Sequence, residues 1–262
     1  MSSRLRSEQR SQVKNFVSLT RTSDKVALAC LTRANWNMDA AVDHFYSNQQ
    51  LYVDASSQAD ESRIKQLYLR YANDPADDLP DRIGPNGMVR LLNDLRLEED
   101  DRRVLILACK LNAKTQCEFD WEEWRTGLAV LRADSIDSIR SCLDQLDNSL
   151  TESANFKQLY QFTFVYGKAA GQRNLDLETA LAYWRILFKD AFSLFPLWEE
   201  FMQTEYRKAV TKDTWNLLFD FAISIKSDLS NYDEEGAWPV VLDNFVAWAR
   251  PRLGAADEKM QS

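Results

Sequence analysis

Residues 231–251 read Asn-Tyr-Asp-Glu-Glu-Gly-Ala-Trp-Pro-Val-Val-Leu-Asp-Asn-Phe-Val-Ala-Trp-Ala-Arg-Pro and join an acidic turn to an amphipathic helix. Pro239 suits the first turn of a helix, where its missing N–H is not needed, so the helix is predicted to begin near Trp238 and to end at Pro251. The apolar residues recur at three- and four-residue spacing and form one stripe, which consists of Val241, Leu242, Phe245, Trp248 and Ala249. The stripe predicts that this helix packs on a core, whereas Asp243 lies off the stripe and is predicted to face solvent.

Negative charge is concentrated just before this helix, at Asp228, Asp233, Glu234 and Glu235. The helix dipole favours acidic side chains at that end, so one interpretation of the turn is a solvated cap. The other interpretation is a docking surface for a basic protein. The formal net charge of −8 is consistent with the docking surface and argues against a general nucleic-acid binder, because a phosphate backbone requires a basic face.

The acidic turn and its helix resemble the C-terminal part of the defective-in-cullin-neddylation family, in the region also called the potentiating-neddylation domain. Further stretches resemble the family in the expected order: TQCEF at 115–119, YQFTF at 160–164, LDLE at 175–178 with AYW at 182–184, and TKDTWNLLFDF at 211–221. Long motifs at matching spacing over about residues 60 to 252 form a far more specific signal than one short pattern.

The composition predicts an all-α fold. Eight tryptophans, thirteen phenylalanines and nine tyrosines stand against seven glycines and six prolines, which favours helices packed through aromatic residues over turn-rich sheets. Strand-like alternation is nearly absent. Helical periodicity predicts helices over 61–73, 85–96, 100–111, 120–131, 135–149, 153–168, 176–189, 193–208, 211–226 and 238–249. The helix over 211–226 is apolar nearly all round and is therefore predicted to be central.

The chain divides into a small and a large helical domain. Residues 8–47 are predicted to form three short helices, with Ser23 and Asn37 as caps. Residues 34–46 resemble the third helix of a ubiquitin-associated domain, which implies ubiquitin as a possible partner; a purely structural three-helix domain is the alternative, since residues 19–23 replace the usual Met-Gly-Phe-type loop. The polar stretch 48–60 is predicted to be a linker, 61–252 the cullin-binding domain, and 253–262 a flexible tail.

The family resemblance implies paired EF-hand-like units in the larger domain, and their chemistry argues against calcium. If Phe119 takes the eighth position of a loop that starts at Asn112, then Lys114 replaces a carboxylate and Cys117 replaces the turn glycine. The earlier loop, around Ile83, places Gly87 where a bidentate glutamate is required. These units are therefore predicted to be degenerate, and no cofactor or metal is expected.

The sequence also lacks the parts of a catalytic site. His44 is the single histidine, and Gly-rich phosphate loops, GxSxG motifs and Cys/His metal spacings are absent, so an enzyme is not expected. The four cysteines are predicted to be reduced core thiols. The chain shows no signal peptide or membrane-length apolar run, which predicts an intracellular protein, shared between nucleus and cytoplasm, with no membrane partner.

The resemblance implies a co-ligase function without catalytic residues of its own. Such proteins promote neddylation of cullins by holding the winged-helix C-terminal domain of the cullin and the acetylated N-terminal methionine of the neddylation conjugating enzyme, beside a RING subunit. The family's cullin-facing positions correspond to Asp213, Ala237 and Asp243. Each also has a local interpretation, since Asp213 could only cap its helix. An adaptor that receives ubiquitin through its N-terminal domain is the alternative function.

The resemblance also implies an acetyl-methionine pocket. The corresponding residues are Ile83, Pro85, Met88, Val104, Leu107, Ala108, Gln116, Cys117, Phe119, Tyr166, Tyr183 and Ile186. Apolar residues of this kind are equally typical of a helical core. Tyr166 and Tyr183 are the most informative, because each carries a polar tip that can reach a solvent-facing edge.

Overall fold

The computed structural model describes residues 6–20, 22, 24–48, 60–189 and 191–260. Within these residues the regular secondary structure is helical, apart from two isolated β-bridges. The α-helices are α1 Ser7–Thr20, α2 Asp24–Arg33, α3 Met38–Ser47, α4 Glu61–Tyr71, α5 Pro85–Leu95, α6 Arg102–Lys110, α7 Trp121–Leu131, α8 Ile136–Asn148, α9 Ser153–Gly167, α10 Leu177–Phe188, α11 Phe195–Phe201, α12 Lys212–Ser224 and α13 Val240–Met260. The all-α prediction is confirmed.

Helices α1 to α3 form the predicted three-helix unit around a small core of their own. Its buried residues are Val13, Phe16, Val26, Ala27, Cys30, Leu31, Ala41 and Phe45. Asn37 caps α3 as predicted, because its side chain accepts a hydrogen bond from the Ala40 N–H at 3.1 Å. The predicted cap Ser23 and most of the predicted linker, residues 49–59, lie outside the described residues.

In the larger unit most helices begin and end within two residues of their predicted bounds. The helix predicted over 193–208 is divided, because the α-helix ends at Phe201 and a wider π-helical turn follows over Met202–Tyr206. The prediction that Pro251 ends the last helix is wrong, since α13 continues through it to Met260.

Packing explains why α13 passes Pro251. A proline removes one hydrogen bond to the carbonyl four residues earlier, which here belongs to Ala247. Both residues are exposed, so water can satisfy that carbonyl. Leu253, in the segment predicted as a tail, packs against the core, and this contact favours continuing the helix. Residues 253–260 are therefore helical, while 261–262 lie outside the described part.

Two isolated β-bridges organise the larger unit. Ile83 pairs with Phe119 through N–O distances of 3.0 and 2.9 Å, and Leu175 pairs with Val210 through distances of 2.9 and 2.7 Å. Each bridge residue stands immediately before a helix N-cap, at Gly84, Asp120, Asp176 and Thr211 respectively. This pairing of loops that lead into helices is the EF-hand arrangement, as the family resemblance implied.

The core of the larger unit is organised around Trp215 of α12. Its ring stacks on Tyr160 with centroids 4.6 Å apart and on Trp184 with centroids 5.1 Å apart. The hydroxyl of Tyr160 donates to the Trp215 carbonyl at 2.8 Å and accepts the indole N–H of Trp184 at the same distance. These buried polar groups satisfy one another, and α12 is central as predicted.

Candidate functional site

Asp213 lies in the first turn of α12 with its side chain exposed. The N-cap of that helix is Thr211, whose hydroxyl accepts the backbone N–H of Thr214 at 3.1 Å. Within the described residues, the Asp213 carboxylate has neither a hydrogen-bond partner nor an ion pair. The interpretation of Asp213 as only a cap is therefore wrong, and its carboxylate is available to a partner.

The turn before α13 is held by aromatic contacts and by one asparagine. The rings of Tyr232 and Trp238 stack with centroids 6.2 Å apart, and Phe221 of α12 meets Trp238 edge-on at 5.8 Å. The side chain of Asn231 accepts the Lys226 N–H and donates to the Ser224 carbonyl, each at 2.8 Å. These contacts tie the turn to the end of α12 and leave Ala237 exposed between them and α13.

Asp243 is exposed on the first turn of α13, as predicted. Its Oδ1 accepts a hydrogen bond from the hydroxyl of Tyr232, a residue that the sequence did not single out for this role. Burial raises the pKa of Tyr232, and the hydrogen bond to Asp243 raises it further. The tyrosine is therefore neutral at physiological pH and acts as a donor to the carboxylate.

A cavity of about 790 Å³ lies between the π-helical turn and α13, and we call it the C-terminal groove. Three of its lining residues neighbour the predicted cullin-facing positions: Thr214 follows Asp213, Asn244 follows Asp243, and Pro239 lies two residues after Ala237. The other lining residues are Phe201, Glu205, Tyr206, Lys208, Val240, Val241, Ala247 and Trp248. Val240 is 72% exposed, so the groove presents apolar surface to solvent. The carboxylates of Asp213 and Asp243 belong to residues next in sequence to its lining.

Four of the predicted methionine-pocket residues are joined by hydrogen bonds. Gln116 donates from Nε2 to the carbonyl of Gly167 at 2.9 Å and accepts at Oε1 from the Tyr183 hydroxyl at 2.8 Å. The backbone N–H of Cys117 donates to the Tyr166 hydroxyl at 3.2 Å. The two tyrosines thus connect the loop before α7 to α9 and α10.

The remaining pocket residues differ in their access to solvent. Ile83, Leu107, Ala108 and Phe119 are at most 2% exposed and Met88 is also buried, whereas Val104 and Ile186 are half-buried and Pro85 is exposed. Ile186 lines a cavity of about 340 Å³, whose other lining residues are charged: Glu98, Asp100, Asp101, Arg102, Arg103, Asp147 and Lys189. Tyr166 and Tyr183 are themselves buried, at 8% and 9% exposed, so the acetyl-methionine pocket stays a prediction from the resemblance.

Cys117 was predicted to be a core thiol, but it does not lie in the core. All four cysteines are free thiols, and Cys117 is exposed. Its backbone is left-handed, with φ of +58°, at the loop position where an EF-hand uses glycine. Although the residue is exposed, partial burial of its sulfur raises the pKa of this thiol, and the nearby carboxylates Glu99 and Glu118 raise it further, so the thiolate is disfavoured.

The second EF-hand-like loop contains a lysine where a calcium site would hold its ion. The ammonium of Lys114 lies 3.9 Å from Asp120 and 3.8 Å from the buried Glu123. Glu123 also accepts the backbone N–H groups of Lys114 at 3.1 Å and Asp120 at 2.9 Å. A tethered cation and backbone donors thus neutralise the carboxylates that calcium would need. Within the described part of the chain, no group of three metal-ligating side chains is present.

Calcium at millimolar concentration is therefore expected to leave the thermal midpoint of the full chain unchanged. A ligand that binds only the folded state must raise the midpoint, and neither loop offers enough free oxygen ligands to bind calcium. Thermal unfolding with calcium or with a chelator measures this directly. A calcium-dependent rise of several degrees would show that the loops bind the ion despite Lys114.

The described helices include none that is long and apolar enough to cross a membrane. Two family models match the chain: one described as "Cullin binding" over residues 138–248, and one described as "UBA-like domain" over residues 10–51. The first range contains the three predicted cullin-facing residues, Asp213, Ala237 and Asp243. Of the twelve predicted pocket residues it contains Tyr166, Tyr183 and Ile186.

Several relatives align with most of the chain. "Defective in cullin neddylation protein 1" of Caenorhabditis elegans is 39% identical over 95% of this chain and 92% of that protein. "DCN1-like protein 4" of Danio rerio is 35% identical over 80% of this chain and 74% of its own length. "DCN1-like protein 5" of Rattus norvegicus is 34% identical over 75% of this chain and 82% of its own length.

Proposed function

Because this chain belongs to the defective-in-cullin-neddylation family and acts in cullin neddylation, we propose that it is a scaffold-type co-ligase that holds a cullin and the neddylation conjugating enzyme together. The cullin is bound by the larger helical unit. The proposal assigns the winged-helix C-terminal domain of the cullin to the C-terminal groove and to the exposed carboxylates of Asp213 and Asp243. It assigns the acetylated N-terminal segment of the conjugating enzyme to the pocket beside Tyr166 and Tyr183.

Three residues that lie close in sequence to the lining of the C-terminal groove support the cullin assignment most directly. Asp213, Ala237 and Asp243 come from the start of α12, from the turn and from the start of α13, yet each lies within two positions of a residue that lines the groove. All three are exposed, and none is needed for the hydrophobic core. A partner that presents basic groups around an apolar side chain would match this surface.

Co-ligase function requires no catalytic residue in this chain. Holding two partners on one rigid unit raises their effective concentration and orients the thioester of the conjugating enzyme toward the acceptor lysine, beside the RING subunit. The shared core of the larger unit extends from α4 to α13, so the two candidate surfaces belong to one packed body. A scaffold of this kind accelerates the reaction through geometry alone.

Reconstituted neddylation tests the proposal. The full chain, added to a cullin C-terminal domain with its RING subunit and the charged conjugating enzyme, is expected to accelerate transfer of the modifier to the cullin. Direct binding of the chain to the cullin domain is measured in parallel. Binding without acceleration would leave a cullin-binding protein that is not a co-ligase, and absence of binding would contradict the whole proposal.

A second candidate function is ubiquitin binding by the N-terminal unit. Leu19 and Tyr46 are 63% and 54% exposed, at the C-terminal ends of α1 and α3. The contact between the rings of Phe16 and Phe45, whose centroids are 5.9 Å apart, shows that these two helix ends are close. Exposed large apolar side chains on so small a unit favour a protein contact over a purely structural role.

Replacing Leu19 with aspartate separates the two functions. If the N-terminal unit binds ubiquitin through this surface, the substitution is expected to weaken ubiquitin binding about fivefold or more, since a charge then opposes an apolar contact. Binding of the full chain to a cullin domain is expected to be unchanged. Calorimetric titrations with each partner measure both effects. If the parent chain does not bind ubiquitin, the N-terminal unit does not have this function.

A further inference from the structure

We infer that Tyr232 is a positioning residue for cullin binding: its hydroxyl orients the Asp243 carboxylate, and its ring holds the turn that carries Ala237. The inference rests on the proposed assignment of Asp243 and Ala237 to the cullin-facing surface. It adds a residue whose hydroxyl acts through another side chain. The hydrogen bond that carries it joins residues on two separate elements, the turn and α13.

An exposed aspartate on a helix surface samples several rotamers, and a partner that binds one of them must restrict the others. The hydroxyl of Tyr232 donates to Oδ1 of Asp243 and so selects one orientation before any partner arrives. Oδ2 has no protein donor within the described residues, and the Asp243 side chain is exposed. The carboxylate is therefore prepared to accept a bond from a basic group of the cullin.

Tyr232 can orient Asp243 because its own ring is held on several sides. It stacks on Trp238 at an interplanar angle of 25°, and Phe221 of α12 meets it edge-on with centroids 6.0 Å apart. The guanidinium of Arg250 lies 6.0 Å from the ring centroid and also pairs with Glu234. The ring thus links α12, the turn and α13, which are the three elements that carry the cullin-facing residues.

The same stack determines the path of the backbone at Ala237. Trp238 follows Ala237 directly, and its indole contacts the rings of both Phe221 and Tyr232. Gly236 precedes Ala237, and a side chain there would come within 2.8 Å of the Trp238 indole nitrogen. The turn therefore has little freedom on either side of Ala237, and Tyr232 is one of the groups that restrict it.

Tyr232→Phe tests the hydroxyl while keeping the ring. Affinity for a cullin C-terminal domain is expected to fall about three- to tenfold, because the carboxylate must then be ordered on binding. Tyr71→Phe is the matched control: its hydroxyl also donates to an aspartate, Asp94, at 2.6 Å, but on α4 and α5. That variant loses the same kind of bond and is expected to bind the cullin as the parent does.

A double-mutant cycle with Asp243→Ala distinguishes positioning from direct contact. If Tyr232 acts through Asp243, then Tyr232→Phe is expected to have no further effect on cullin affinity in the Asp243→Ala chain. An equal loss in both backgrounds would mean that the hydroxyl touches the cullin itself, and would overturn the inference. The inference would also be overturned if Tyr232→Phe bound the cullin as tightly as the parent while Ala237→Arg bound it more weakly. That result would leave the proposed function standing. A parent chain that does not bind the cullin would overturn both.

Discussion

Replacing Ala237 with arginine is expected to weaken cullin binding about 30-fold or more, which corresponds to roughly 2 kcal/mol. Ala237 is exposed two residues before Pro239, which lines the C-terminal groove, so a long cationic side chain there would block the approach of a partner and repel its basic groups. The fold should not change, because the alanine side chain contributes nothing to the core. Calorimetric titration with a cullin C-terminal domain measures the loss, and thermal unfolding checks the fold.

Ala129→Arg is the matched control for this variant. It introduces the same charge and the same volume at an exposed position of α7, outside the C-terminal groove. We expect its cullin affinity and its thermal midpoint to match those of the parent. If Ala237→Arg bound the cullin as tightly as this control does, the docking assignment would be wrong.

Asp243→Ala is also expected to weaken cullin binding, but its effect has two sources. The substitution removes a carboxylate from the docking surface, and it also takes away the acceptor of the Tyr232 hydroxyl. The sequence suggested only the first effect, because the tyrosine contact is not visible in a helical pattern. Ala237→Arg therefore tests the surface more cleanly than Asp243→Ala.

The second large effect concerns the N-terminal methionine of the conjugating enzyme. We expect the chain to bind an acetylated N-terminal peptide about 10- to 100-fold more tightly than the same peptide with a free amine. Acetylation replaces a charged ammonium with a neutral amide, while the thioether fills apolar space. The predicted pocket would offer neutral polar groups to that amide, since burial raises the pKa of Tyr166 to about 12 and raises that of Tyr183 as well.

The carboxylates near this pocket are mostly occupied by other partners. Glu118 pairs with Arg82 at 2.9 Å, and Glu123 accepts two backbone N–H groups and lies beside Lys114. A free ammonium held beside the tyrosines would therefore find few available carboxylates, and its desolvation would be poorly offset. The exceptions are Glu98 and Asp100, which line the cavity beside Ile186, so the expected preference applies to a methionine bound away from that cavity. The hydroxyl of Tyr166 accepts the Cys117 N–H, and its own proton has no acceptor within the described residues, so it can donate to the acetyl carbonyl.

Calorimetric titration with matched acetylated and free peptides measures this preference. Glu99 is exposed and lies near enough to Cys117 to raise the pKa of its thiol, so it is one carboxylate that a free ammonium could reach. Glu99→Gln serves as the control, and it is expected to preserve or widen the preference for the acetylated peptide. Equal affinities for the two peptides in the parent chain would contradict the pocket assignment.

Local pattern determined much of the fold. Helical periodicity and breaking residues act within about four positions, because that is the span of a helical hydrogen bond, so the sequence alone predicts most helix bounds to within two residues. The same locality explains why the Asn37 cap was predicted correctly. It also explains the error at Pro251, since the contact of Leu253 with the core is not a local feature.

The sequence by itself determined the helical class, the degenerate loops and the family, because these depend on residue types in order along the chain. Only the tertiary structure decided how the candidate sites are built. Thr211 rather than Asp213 caps α12, Tyr232 reaches Asp243 from 11 positions away, and Tyr183 reaches Gln116 from 67 positions away. A groove or a side-chain hydrogen bond between two elements exists only after those elements have packed together. Periodicity along the chain shows which face of a helix is buried, but not which polar side-chain groups form hydrogen bonds in the packed structure.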